Sequence, residues 1–553
     1  MEHARMFIAI VLSFLVFFVW ETFFVDRETM KPTVNPTATQ ETQNLQSNSQ
    51  AQTAPVSIAP VALTPDATVV EGKSDRRLIV ETPLYTVTIA DKGAVFKSLV
   101  LKNYRETAQE GSDNLEMIDT KIVKDGTLEV GFEGNDLPGL ATAVYRSDVS
   151  ADTLMVRDAE KRISYRWVSP DGVVVEKVFR FQPDSYLIPL TVTIRNESGR
   201  NINGNSYVAL KKFSPDNDVR YGFEGPSALI DDHLEQVKVK DLDEKNSFSG
   251  KVNWMALQDR YFMSSLSPEA TGRGTIKLSI NGDRLLESRL FNGDIALKPG
   301  TQVSYGYQVF FGPLSVSLLK TLGHQLDRAV DFGWFDIIAK PCLWLMNFFY
   351  RFIPNYGVAI ILLTILTKVL LWPLGNKSYK SMGEMKKIQP LMAEIREKYK
   401  DDKKKMNEEV MGLYRIYKIN PMGGCLPMLV QIPVFFALYR MLYEAIELRH
   451  APFFGWITDL SAPDRLFQFD FSIPMMEPPY GIPVLTVVMG ATMFLQQKMS
   501  PPMGDPAQAK VMMFMPIIFT VIFINFSSGL VLYWLVNNVL SISQQYYVQK
   551  KMA

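Results

Sequence analysis

Apolar residues fall along this chain in two rhythms. From about residue 78 to 312 they come in short alternating runs: Tyr85, Val87 and Ile89 share one face, as do Ile163, Tyr165 and Trp167, and again Ile188, Leu190, Val192 and Ile194. Such alternation sets one side of a strand against a core and the other in water. Turn signals separate the runs, among them Asp91-Lys92-Gly93 and the Asn281-Gly282 pair between IKLSI and RLLESRL, a strong hairpin signal. The pattern predicts one large antiparallel β-sandwich over 78–325. Residues 6–25 and most of 334–549 are instead long continuous apolar runs.

A bilayer core about 30 Å thick needs about 20 apolar residues as helix. MFIAIVLSFLVFFVWETFFV (6–25) meets that length. Phe23, Phe24 and Val25 stand where a secretory signal needs small residues, and Glu21 is acidic, so 1–26 reads as an uncleaved transmembrane anchor. The stretch 27–77, rich in Thr, Gln, Asn, Ser, Ala and Pro, cannot bury enough surface to offset its ordering entropy and reads as a flexible tether. WFDIIAKPCLWLMNFFYRFIPN (334–355) is aromatic and broken by Lys340-Pro341; within 326–355 it predicts a helix lying in the membrane interface, with a plain core helix as the alternative. Over 356–553 the spanning runs are 356–374, 425–445, 482–497 and 511–549, the last long enough for two crossings divided at Ser527-Ser528-Gly529. With the anchor this makes six spans, five of them in the carboxy-terminal core. The fold class expected is therefore a multi-domain membrane protein, an α-helical transmembrane core plus the antiparallel β-sandwich.

Charge orients these segments. The 553 residues balance 58 basic against 58 acidic, but the loop 375–419 holds twelve Lys or Arg against seven Asp or Glu, whereas 446–480 holds two against five. Basic connections stay cytoplasmic. With His3 and Arg5 before the anchor and Lys550-Lys551 at the end, both termini fall inside, and the β-domain falls outside, in the periplasm of a bacterium with two membranes. The two cysteines, Cys342 and Cys425, exclude a disulfide framework, and the four histidines are scattered without a second ligand at metal spacing. No phosphate-binding loop is present, since Lys377-Ser378 lacks its preceding glycine. No catalytic constellation stands out in the β-region, and no cofactor, metal or nucleic-acid role is expected.

Inside the basic loop, Met382, Met385, Ile388, Leu391, Met392 and Ile395 recur at helical spacing, as do Met406, Val410, Leu413, Tyr414 and Tyr417. With Asp402 as an N-cap between them, the pattern predicts a helical hairpin over 376–419, either a solvated connector or a docking device with exposed methionines as adaptable contacts. Pro421, Pro427 and Pro433 follow six apart, beside Gly423-Gly424, and predict a bent helix. Within TILTKVLLWP (364–373), Lys368 is a cation in an apolar run. Near the helix end it could simply snorkel. Thr364 one turn away, with Gln431, Asn537, Asn538 and Ser541 on other spans, points instead to a shared wet cavity.

NPMGGCLPMLVQIPVFFALYRML (420–442) resembles the signature of the YidC-type membrane protein insertases (the YidC/Oxa/Alb family), and FMPIIFTVIFINFSSGLVLYWLVNNVLSISQQ (514–545) resembles that family's last two spans. The resemblance covers the whole order of segments. It implies a periplasmic β-super-sandwich and a five-helix core around a hydrophilic groove open to the cytoplasm and to lipid. It also implies nascent membrane proteins as substrates, with the Sec translocon and ribosome as partners. The groove residues it implies are Lys368, Thr364, Gln431, Tyr533, Trp534, Asn537, Asn538 and Ser541. Two positions depart from the family: Lys368 stands where arginine is common, and Trp534 where a second tyrosine is more usual. The competing classes are a membrane channel or solute transporter, against which no inverted repeat or run of intramembrane carboxylates is seen, and an envelope enzyme acting on sugars.

Overall fold

The computed structural model describes residues 76–118, 123–214, 222–270, 272–282, 284–417, 426–500 and 506–552. The expected anchor 1–26, nearly all of the tether 27–77, and Pro421 with Gly423, Gly424 and Cys425 lie outside the described residues. The described residues divide into two compact units, one ending at Val330 and the other beginning at Asp331.

The first unit is built from a five-stranded and a thirteen-stranded sheet. The alternation expected on Leu187–Asn196 is complete: Ile188, Leu190, Val192 and Ile194 are buried and the residues between them are not. The large sheet turns about the strand Ser247–Gln258. Its first half pairs with Arg273–Ile280, and its second half pairs with Phe262–Pro268 on one side and Gly225–Ile230 on the other. One strand serving three partners lets a single sheet cover the core from two directions. The layers meet through aromatic rings: Phe96 of the small sheet lies 5.2 Å from Phe179 and 5.9 Å from Phe311 of the large one. Pairing is antiparallel except where Arg77–Glu81 runs parallel to Thr153–Met155.

Helix α1 (Val316–Leu322) and a 3-10 turn at Leu326–Ala329 finish this unit. The sequence reading ended the sandwich at 325; the structure carries it to 330. Leu326 and Ala329 are buried, the Trp254 indole N–H donates to the Gln325 carbonyl at 3.2 Å, and the Gln258 amide donates to the Ala329 carbonyl at 3.4 Å. Residues 326–330 therefore pack with the sandwich, and the next α-helix begins at Asp336.

The second unit is helical: α2 (Asp336–Phe352), α3 (Tyr356–Lys387), α4 (Gln389–Lys398), α5 (Lys403–Ile416), α6 (Leu426–Glu444), α7 (Val484–Met499), α8 (Pro506–Phe523) and α9 (Ser528–Met552). Asn355 caps α3, its side chain accepting from the Val358 N–H at 3.1 Å, and Asp402 caps α5 through the Lys405 N–H. Both are N-caps that satisfy an orphan donor of the first turn. Internal prolines interrupt α2, α3, α6 and α8 at Pro341, Pro373, Pro433 and Pro516.

The hairpin expected over 376–419 is shorter. Met382 and Met385 sit on the continuation of α3, and the pair proper is α4 with α5, closed by Ile388, Met392 and Leu413 with Leu391, Ile395, Val410 and Tyr414 around them. Its methionines are not the exposed contacts the spacing suggested: Met392 is buried, and the Tyr414 hydroxyl points at its sulfur at 3.6 Å. The flexible thioether fills the narrow gap between two short helices. The exposed apolar residues of the pair are Ile416 and Tyr417 at its end.

One buried cation in the sandwich has a measurable consequence. Lys177 is fully buried; its ammonium donates to the Gly93 carbonyl at 2.6 Å and lies 5.2 Å from the centre of the Tyr145 ring. Burial holds it far below the usual lysine range, at about 7. The folded value lies below the unfolded one, so between the two the unfolded chain binds more protons and stability rises with pH. The denaturant midpoint of the sandwich is expected to climb from about pH 7 to 9, and Lys177→Met to flatten that climb. An unchanged slope in the variant would assign the dependence to other groups.

Candidate functional site: a polar seam between apolar helices

The seam is made by α9. Adjacent residues on a helix point about 100° apart, and only those three or four apart share a face. Asn537, Ser541 and Gln544 form one such face, and Asn538, Gln545 and Gln549 another. The first looks at α3. The Lys368 ammonium donates to Ser541 Oγ at 2.6 Å and reaches Asn537 Oδ1 at 3.5 Å, and Ser541 in turn donates to the Asn537 carbonyl at 2.6 Å. Gln431 of α6 donates to the same Asn537 Oδ1 at 3.1 Å, so three helices meet on one amide oxygen. One turn on, the Gln544 amide donates to the Trp372 carbonyl at 3.0 Å and to Asn376 Oδ1 at 2.9 Å. Gly375 makes room for it, since a Cβ there would stand 2.7 Å from the Gln544 nitrogen.

The second face looks at α7: Asn538 donates to Thr492 Oγ1 at 3.3 Å, and Gln545 to Ser500 Oγ at 3.4 Å. Of the eight expected groove residues, the structure thus joins Lys368, Gln431, Asn537 and Ser541 in one network and sends Asn538 elsewhere. Thr364 is buried and donates back to its own helix, at the Ile360 carbonyl, 2.7 Å away. Tyr533 is buried one turn before Asn537. Trp534 packs edge-on to Phe435 and Phe523, with ring centres 4.6 and 4.9 Å apart, and so belongs to an aromatic cluster.

What the network lacks is charge to match its own. Among the described residues no carboxylate stands within ion-pair distance of Lys368, whose hydrogen-bond partners are a hydroxyl and an amide oxygen. A half-buried ammonium held by neutral oxygens keeps an electrostatic demand that an incoming anion can meet.

The other end of the bundle is closed by a different set of residues, which the sequence reading passed over. Asp464 and Arg465 are both nearly fully buried in the segment between α6 and α7. Arg465 donates to the carbonyls of Pro479, Asp464 and Ile524, each at 2.8 Å, and to Asn525 Oδ1 at 3.3 Å. Asp464 accepts from the Trp456 indole and from the Leu485 N–H, which opens α7. Ser528 and Gly529 at the start of α9 donate through their backbone to Ala462 and Leu460, and a Cβ on Gly529 would stand 3.1 Å from the Leu460 carbonyl. The segment is therefore clamped over the α8–α9 turn. Arg440 and Glu444 of α6 form an ion pair one turn apart, at 2.9 Å and 21% and 13% exposed.

The shallow hollow on the sandwich is lined by Asn205, Ser249, Arg273, Thr275 and Phe291 with three glycines. Its one ionisable side chain is a guanidinium, so it holds no acid–base pair for work on sugars.

A sheet-rich unit joined to apolar helices with an internal polar seam defines a membrane protein with a large extramembrane domain. Residues 77–345 match the family model described as the YidC periplasmic domain, and residues 348–553 match the one described as 60Kd inner membrane protein. A protein named membrane protein insertase YidC from Pelobacter propionicus is 41% identical over 99% of both chains. Its namesake from Syntrophobacter fumaroxidans is also 41% identical over 99% of both, and that from Syntrophus aciditrophicus 41% identical over 87% of this chain and 86% of its own. The chain belongs to the YidC family of membrane protein insertases, inner-membrane proteins with a periplasmic domain.

Removing the clamp is expected to loosen the far end of the bundle. Arg465→Ala leaves three carbonyls without their donor, and losing one charge-assisted hydrogen bond alone costs about 1.5 to 3 kcal/mol. Limited proteolysis within 446–480 should accelerate by at least tenfold relative to the sandwich, and equal rates in variant and parent would refute the clamp.

Proposed function

We propose that Lys368, Gln431, Asn537 and Ser541 line the polar end of a groove through which the hydrophilic tail of a nascent membrane protein enters the bilayer, while its apolar span leaves sideways into lipid. The supporting observation is the half-buried Lys368 ammonium with neutral oxygens as its partners. Thr364, Tyr533, Trp534 and Asn538 complete the lining as supports on the same helices. Substrates are nascent membrane proteins in contact with the lipid bilayer, and the Sec translocon and ribosome are the partners that would deliver them. The chemistry is non-covalent, without catalytic residue or cofactor.

The energetics favour such a device. Each unsatisfied backbone polar group costs several kcal/mol in hydrocarbon, and each charged side chain about 2.5 to 3.5 kcal/mol or more. A wet recess reaching part of the way shortens the dry path for the tail. The span is then drawn out by about 0.8 kcal/mol per buried methylene, and the membrane potential assists acidic tails.

The proposed topology has six crossings. Residues 1–26 are the first, 27–77 tether the periplasmic sandwich, and α2 lies in the interface with Ile337, Trp344 and Phe352 outward. The helices α3, α6, α7, α8 and α9 then cross. By length and composition α3 is suited to span, and its 32 residues carry it well past the bilayer core, at about 1.5 Å per residue. Helix α7 has 16 residues, about 24 Å, shorter than the bilayer core, so the membrane would thin around it. The basic α4–α5 hairpin and both termini are cytoplasmic, and the clamped segment 446–480 is periplasmic. Solute transport is less favoured because the seam holds a single cation and no carboxylate for ion coupling among the described residues.

Lys368→Ala is expected to slow insertion of substrates with acidic tails by about tenfold, the equivalent of about 1.4 kcal/mol, and of uncharged tails much less; Lys368→Arg should retain activity. Equal loss on both substrates in reconstituted vesicles would argue against electrostatic capture. Replacing 389–416 by a short polar linker should lower insertion while α3 and α6 stay folded, and unchanged insertion would make the hairpin a passive connector.

A further inference from the structure

The segment between α6 and α7 carries exposed apolar side chains that its own fold does not use. Phe454, Phe467, Phe471 and Met475 are 62%, 69%, 63% and 73% exposed, and Trp456 is 38% exposed although its indole N–H is tied inward to Asp464. Phe471 stacks on Phe469 with ring centres 5.1 Å apart. Two of these residues hold a left-handed backbone, Phe467 at φ 52° and Met475 at φ 64°. Bulky side chains rarely adopt it, and each instance costs about 1 to 3 kcal/mol. At Phe467 it coincides with a register shift in the small hairpin of Leu466–Phe469 with Tyr480–Ile482. The bulge turns an aromatic ring outward directly beside Arg465, whose four hydrogen bonds hold the base of the hairpin in place. A rigid base and a strained rim that together present apolar groups to the outside need a cover.

We infer that lipid is that cover: the rim of 446–482 inserts its aromatic residues into the headgroup boundary of the outer leaflet and so fixes the depth of the bundle. The inference rests on the topology proposed above. The argument for lipid over a protein partner is continuity. The exposed apolar surface passes through Ile482 onto Val487 and Val488 of α7, which under that topology face acyl chains. Composition agrees, because an indole with its N–H satisfied, phenyl rings and a thioether suit the boundary where one side is wet and the other apolar. Asp470 and Glu477, exposed between them, stay at the water side.

The test uses the full chain with Cys342→Ala and Cys425→Ala, reconstituted in phosphatidylethanolamine and phosphatidylglycerol vesicles. Single cysteines introduced by Phe454→Cys, Phe471→Cys and Met475→Cys carry a nitroxide, and Asp470→Cys is the polar reference. The ratio of collisions with oxygen to collisions with a water-soluble nickel chelate should be several-fold higher at the three apolar sites than at 470. Ratios equal to that at 470 would overturn the inference in favour of a bare surface. Low access to both reagents would overturn it in favour of a protein cover. An impermeant thiol reagent that reaches Asp470→Cys only from the cytoplasmic face would instead overturn the topology, and the inference with it.

Discussion

A charged ammonium in an apolar helix must find oxygen atoms, and much of the arrangement of the helical unit follows from how Lys368 finds them. Its hydrogen-bond partners stand on another helix. The oxygens come from α9, one turn apart on a single face, and α6 adds Gln431 to the same amide. That requirement fixes the rotation of α9 against α3, and once it is fixed, the polar groups about 100° around the helix must face α7. The register of three helix contacts is thereby set by hydrogen bonds, which in a membrane discriminate between helix rotations better than apolar contact does, since lipid tails are as apolar as the side chains they replace.

The two ends of the bundle solve the same problem in opposite ways. Around Arg465 four donors are consumed by three carbonyls and an amide oxygen, with Asp464 alongside. A network satisfied in that manner is rigid and costly to open. Around Lys368 the acceptors are neutral and the charge is left without a counter-ion among the described residues. A saturated network is suited to a seal and an unsaturated one to a binding surface. Under the proposed function, this asymmetry would give the unit a direction without any moving part, attracting polar material at one end and excluding it at the other.

Much of this was legible in the chain. Period-two alternation located the strands, and the Ser527-Ser528-Gly529 interruption marked the turn where α8 gives way to α9. Lys368 and its partners could be found because polar residues in long apolar runs are conspicuous. Their sorting was harder. Asn537 and Asn538 look equivalent in sequence, yet neighbours on a helix cannot share a face, and the spacing 537, 541, 544 against 538, 545, 549 already held the answer. The packing of Trp534 on Phe435 and Phe523 was not legible, because an aromatic beside a polar stripe carries no sign of which way it turns. The hairpin methionines read as exposed because helical periodicity identifies a face without saying what covers it. Arg465 was invisible for another reason: a buried arginine whose acceptors are mostly backbone carbonyls, one of them 59 residues away, leaves no sequence pattern, since any residue type can supply a carbonyl.

A lysine at 368 also suits this geometry. A guanidinium presents a planar fork of five donors suited to two parallel bonds with a carboxylate, whereas an ammonium is a compact charge with three rotatable donors. The acceptors beside Lys368 are one hydroxyl at 2.6 Å and one amide oxygen at 3.5 Å, off a single helix face and without a matching pair of parallel lone pairs. A point charge fills that site without demanding a planar partner. If the role of the residue were to grip one carboxylate in a fixed geometry, lysine would be a poor substitute. If its role is to keep the recess wet and positive for tails of many sequences, a mobile ammonium that exchanges readily between protein oxygens, water and a passing carboxylate is sufficient, and the weakness of each contact is what allows the tail to move on.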